Sequence, residues 1–154
     1  MQLDHGWIAQ RIPHQGSMCL LDRVLDWDDT MIRCTAISHR DQTLPLRAHG
    51  RLSAACGIEY AAQAMAVHGA LVTAGTPDVA ASAPRMGMLA SVRDVQLHVA
   101  RLDDIDSDLL IEARRLAGDL RAIAYEFNLR AGDRELLAGR ATVILDVDRL
   151  GGDQ

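Results

Sequence analysis

The chain has 154 residues and 16.8 kDa, a formal net charge of −5, and 49% hydrophobic residues against 24% charged. That length suits one domain with a core of its own, and a mean hydropathy of +0.00 excludes both a disordered chain and a polytopic membrane protein. All 16 cations are Arg, which excludes Schiff-base and P-loop chemistry, and an isoelectric point near 5.6 argues against a general nucleic-acid binder.

Cys19, Cys34 and Cys56 form no C-x-x-C pair, so neither a disulfide framework nor a Cys-based zinc site is expected, and a reducing compartment is the natural reading. Residues 1–11 carry no apolar run of signal-peptide length, so the expected location is the cytoplasm. Residues 1–150 read as one domain, with 151–154 as a tail.

In chain order, a short helical turn is predicted from Asp4 to Gln10, ahead of Pro13. Residues 19–27 and 31–38 read as strands around the polar turn Asp28-Asp29-Thr30, and 39–52 as irregular. The segment from Ala54 to Ala74 reads as a long helix, with Ser53 as N-cap and Gly75 and Pro77 as the stop. Eight of its residues are Ala and two are Gly, and Glu59 sits inside it. It is long enough to cross a bilayer but poorly suited to face lipid; a helix apolar all round belongs in a core.

After an Ala-, Gly- and Pro-rich loop (75–84), strand-like runs follow at 86–92, 94–101, 108–117, 121–130 and 134–147. Gly118-Asp119 and Gly132-Asp133 mark hairpin turns between them. One buried helix followed by an antiparallel meander implies an α+β fold, the sheet wrapped around one long central helix in the hotdog arrangement.

Glu59 is the sharpest chemical signal. A carboxylate in an apolar helix loses solvation, so its pKa should rise and it becomes a candidate acid or base. The alternative is that it pairs with an Arg and only organises assembly. Gln63, one turn later on the same face, could hydrogen-bond Glu59 or a substrate. His14, in Pro13-His14-Gln15-Gly16, is the second candidate, with His39 and His49 behind it. His68 and His98 read as a helix-end and a strand-face residue, and His5 as exposed. The run Asp103-Asp104-Ile105-Asp106-Ser107-Asp108 lacks the Gly and the final Glu of a calcium loop and reads as a solvated turn, so no metal is expected. Arg33, Arg40, Arg47 and Arg51 fall near the helix entry, where they could dock an acidic partner, though a solvated face is the simpler reading.

Ile12-Pro13-His14-Gln15-Gly16-Ser17-Met18-Cys19-Leu20-Leu21-Asp22-Arg23-Val24 resembles the opening of the 3-hydroxyacyl-acyl-carrier-protein dehydratases. Gly57-Ile58-Glu59-Tyr60-Ala61-Ala62-Gln63-Ala64-Met65-Ala66 resembles that family's helix, where the acid is followed four residues later by Gln. The Pro45-Leu46-Arg47 and Gly50-Arg51-Leu52 stretches are similar to the dehydratase-like branch of aryl polyene pigment synthesis.

The resemblance implies a hotdog fold and a homodimer or larger oligomer with sites at the interface. It also implies cofactor-free dehydration of a 3-hydroxyacyl thioester on the phosphopantetheine of an acyl carrier protein. By position, Glu59 would be the acid and the N–H of Ala54 the oxyanion donor, with Gln63 and His49 as substrate-binding candidates. The family's usual catalytic His stands fourteen residues before the acid, where this chain has Pro45. Either another His has taken the base role, His14 first and His49 or His39 after it, or dehydration is lost. Two alternatives stay open: a hotdog acyl thioesterase, and a non-catalytic subunit completing the site of a second dehydratase in a hetero-oligomer. No nucleic-acid partner and no membrane span are expected.

Overall fold

The computed structural model describes residues 3–14, 16–74, 87–119 and 121–145. The expected stop at Gly75 and Pro77 and the loop 75–84 lie outside them. Helix α1 (His5–Ala9) is capped by Asp4, whose side chain accepts from the Trp7 N–H. Strands β1 (Arg23–Trp27) and β2 (Met31–Ala36) form a hairpin. One Asp28 oxygen closes its turn by accepting from Thr30 N, Thr30 Oγ1 and Met31 N. A 3-10 turn (Ala54–Cys56), with Ser53 Oγ accepting from Ala55 N, leads into α2 (Gly57–Ala74). Strands β3 (Gly87–Leu97), β4 (Leu109–Gly118), β5 (Ala122–Ala131) and β6 (Arg134–Leu145) complete the chain.

All pairings are antiparallel, in the order β1-β2-β4-β5-β6-β3. Alternate residues of β2, β4 and β5 are buried, as a sheet with one covered face requires. Ile32, Ile111, Tyr125 and Leu129 on that face pack with Tyr60, Ala64, Met65 and Val67 of α2 in one core. Small residues let the helix lie close to the sheet: a Cβ on Gly57 would meet Leu137 Cδ2 at 2.6 Å and Leu129 Cδ2 at 3.2 Å.

Several expectations need correction. Residues 19–22 are not strand; they run irregularly, with Leu20 N donating to Gln63 of α2, Leu20 O accepting from Ser38 and Asp22 N donating to Thr35 O of β2. The runs 86–92 and 94–101 largely form one strand, kinked where Asp94 takes φ +56° and the register against β6 shifts. The helix is apolar all round yet only part of its surface is covered: Ile58, Ala62, Ala66, Gly69 and Ala70 remain half-buried. Asp103 is not solvated; only 6% of its side chain is exposed. It holds the Arg101 guanidinium and accepts from Leu52 N at 2.8 Å, and these contacts keep its carboxyl well below the usual carboxylate range. No helix among the described residues is long and apolar enough to cross a membrane.

His68 lies within the helix rather than at its end, 1% exposed. Its Nε2 donates to the Asp28 carbonyl at 2.8 Å, so Nδ1 accepts from Tyr125 Oη–H at 2.8 Å, a neutral imidazole with both nitrogens occupied. Burial holds its pKa below the ordinary value, and the same is true of fully buried His39, whose Nε2 faces the carbonyls of Ile105 and Ser107. Below about pH 6.5 the unfolded chain therefore binds protons that the folded one resists. Stability is expected to be full above that pH and to fall as pH drops toward the folded-state pKa values. Thermal melts from pH 8 to 5 check this; a midpoint unchanged across the range would refute it.

Candidate active site

His14 and Glu59 come together: His14 Nε2 lies 3.4 Å from Glu59 Oε2. Glu59 occupies the first full turn of α2, two residues after Gly57, where the helix leans directly on β5 and β6. His14 sits between two anchors. Upstream, Ile12 is 4% exposed and plugged into the core. Downstream, Gly16 takes φ +58°, a conformation that costs glycine little, and starts a 3-10 turn (Gly16–Met18) in which Cys19 N donates to Gly16 O.

The pair is not entombed. The side chains of His14 and Glu59 keep 27% and 38% of their surface exposed, so the burial expected for Glu59 is not found in the single chain. The residue does lie on the partly uncovered side of the helix, which explains why an apolar sequence context leaves it open. His14 Nδ1 is buried and has no hydrogen-bond partner among the described residues; Nε2 is the nitrogen that meets the carboxylate.

The other candidates fall elsewhere. His39 is fully buried, with Nε2 on two carbonyls, and cannot reach a substrate. His49 is exposed at the tip of a tight turn closed by the Ala48–Arg51 bridge, where it and Gly50 both take positive φ. No hydrogen bond or ion pair joins it to Glu59 or His14 among the described residues. Pro45 is exposed in an irregular turn.

Ala54 is a correction. Its N–H donates to the Ala100 carbonyl at 3.0 Å, because Ser53 pairs with Arg101 in a short antiparallel bridge that ties the helix entry to the chain beyond β3. That N–H is therefore unavailable to a thioester oxygen. Gln63 is 0% exposed, its Oε1 accepting from Leu20 N at 2.8 Å and its Nε2 donating to Met18 O at 2.7 Å. Beside it Ser38 Oγ donates to Leu20 O at 2.8 Å and is itself met by Tyr60 Oη at 2.9 Å. Burial pushes the Tyr60 phenol up to about 12, so it stays a neutral donor.

Sequence reasoning missed Ser38 and Tyr60. The one available signal was Tyr60 itself, a hydroxyl in an otherwise apolar helix that needs a partner when buried. Of the Arg cluster, Arg33 pairs with Asp26 at 2.7 Å, Arg40 with Asp108 at 2.9 Å, and Arg47 donates to His39 O at 3.0 Å. Among the described residues no group of His, Cys, Asp and Glu is arranged to hold a metal ion.

A six-stranded antiparallel sheet packed around one long helix is the hotdog fold. The family model for ApeP-like proteins, described as ApeP dehydratase, matches residues 7–149. The chain belongs to that family. A chain of the dehydratase heterocomplex ApeI:P from Xenorhabdus doucetiae is similar over 95% of this chain and 97% of its own, with 24% identity and a TM-score of 0.80. A thioesterase from Pseudomonas aeruginosa aligns over 80% of this chain and 79% of its own, with 12% identity and a TM-score of 0.57. A hypothetical thioesterase with coenzyme A from Streptococcus pneumoniae aligns over 80% and 84%, with 10% identity and a TM-score of 0.57. These likenesses describe the fold. No curated protein matches the sequence.

Proposed function

We propose that the chain dehydrates 3-hydroxyacyl thioesters carried on acyl carrier protein, in aryl polyene or fatty-acid-like synthesis. The observation that carries this reading is the 3.4 Å approach of His14 to Glu59 within a dehydratase family. His14 takes the C2 proton, and protonated Glu59 gives its proton to the C3 hydroxyl, which leaves as water. The electron pair of the broken C2–H bond forms the C2–C3 double bond, and the thioester stays intact. Acid–base catalysis by two positioned groups needs no metal or cofactor.

A second reading rests on Ala54 and Pro45. With the Ala54 N–H occupied, polarisation of the thioester carbonyl falls to another group, and with no His at position 45 the base role falls to His14 or to a second dehydratase chain. Two features favour such a hetero-oligomer, or a homodimer, forming along β3. Among the described residues no strand pairs with its outer edge, and Met88, Leu89 and Leu97 on it are 68%, 38% and 48% exposed. The uncovered side of α2 carries only small or apolar residues besides Glu59 and Thr73.

The test is to incubate the purified chain, alone and with a second dehydratase, with a short 3-hydroxyacyl thioester on carrier protein and on coenzyme A. Enoyl product without free thiol from the chain alone is the expected result. Thiol release would instead make it a thioesterase. Product only with the second chain would make it a completing subunit.

A further inference from the structure

We infer that Gln63 is a positioning residue that fixes His14 against Glu59, and that it does not bind substrate. The inference rests on the reading of His14 and Glu59 as the reacting pair, and extends it to what sets their distance. The Gln63 amide has one orientation that satisfies both neighbours: oxygen toward the Leu20 N–H at 2.8 Å and nitrogen toward the Met18 carbonyl at 2.7 Å. It is 0% exposed, so a substrate would reach it only by displacing the chain it holds.

The Leu20 peptide is gripped at both ends, since its carbonyl accepts from Ser38 Oγ, which is supported by Tyr60 Oη. Tyr60 and Gln63 follow Glu59 by one and four positions on the same helix. One rigid element therefore carries the acid and also anchors the segment that delivers the base. His14 is held from the other side by Ile12, buried in the core. A change at residues 18–20 thus reaches His14 across only a few positions, among which Gly16–Met18 form the 3-10 turn. Misplacing a reacting group by about 1 Å costs on the order of a hundredfold in rate.

The experiment uses Gln63→Met, which keeps the length and removes both bonds, in the full chain and with any partner found necessary for activity. Its dehydration kcat is expected to fall about ten- to a hundredfold with KM within about twofold of the parent. In a His14→Ala background Gln63→Met should cause no further loss, because a residue acting through His14 has nothing left to position. A raised KM with unchanged kcat, or losses that multiply in the double variant, would overturn the inference.

A second readout needs no turnover. The His14 ring signals in a proton–nitrogen spectrum should respond to Glu59→Gln in the parent and lose most of that response in Gln63→Met. An equal response in both would also overturn it. Should His14→Ala keep full activity, the catalytic reading fails while the ring signals still decide the positioning. If Gln63→Met does not fold, Gln63→Glu keeps the acceptor for Leu20 N–H and, once its carboxyl is ionised, loses the donor to Met18 O; the same measurements taken at rising pH read it.

Discussion

Replacing Glu59 by Gln is expected to leave the fold intact and to lower dehydration turnover by about a hundredfold or more. The amide matches the carboxyl in size but has no acidic proton to deliver to the departing hydroxyl. Its stability cost should be small: the side chain is 38% exposed and its one ion pair among the described residues is with a histidine itself 27% exposed, so no buried charge is left alone. Enoyl formation measured beside a thermal melt separates the two effects. Unchanged turnover with an unchanged melt would remove Glu59 from the chemistry. Lost turnover with a collapsed melt would make it a structural residue instead.

The second large effect is expected at Gly57. A Cβ there would sit 2.6 Å and 3.0 Å from the two terminal carbons of Leu137 and 3.2 Å from one of Leu129. Those are side-chain ends that can yield to a single methyl, but Gly57→Val adds a branched side chain where two strands already press on the helix. Overpacking of this kind costs about 2–3 kcal/mol, and at this chain length the melting midpoint should drop by roughly 5–10 °C. The helix start is the part that must move, and Glu59 lies two residues further on. Turnover should therefore fall too, at temperatures where the variant is still folded. A variant that melts and turns over like the parent would show that the close contact is not what seats the helix.

Legibility from sequence followed the range of the forces involved. The helix, the Asp28 turn and the Gly118 and Gly132 hairpins were readable because each rests on capping or turn chemistry within a few residues. The partnership of His14 with Glu59 came from the resemblance, not from spacing; nothing local says that residues 45 positions apart should meet. What stayed hidden depends on long-range backbone pairing. Residues 19–22 look like a strand because they are apolar, yet their hydrogen bonds go to Gln63, Ser38 and β2 rather than into a continuous ladder. The N–H of Ala54 looked free because a helix start normally leaves it so, and only the bridge to Arg101 shows otherwise. The burial of Glu59 was overestimated for a related reason: composition reports how apolar a helix is, not which of its sides is covered.

The outward edge of β3 has a consequence for how this chain exists in a cell. Among the described residues that edge pairs with no strand and carries exposed Met and Leu side chains, so under the proposed assembly folding and association become a single mass-action problem. The melting temperature should climb with protein concentration, and climb further when a matching subunit is titrated in, as with any ligand that binds only the folded state. A midpoint independent of both would mean that nothing caps the edge. If it is capped, the dose of the two genes matters: a surplus of this chain over its mate would be the fraction that proteases and chaperones see, so supply matched to the mate becomes part of what keeps the protein alive.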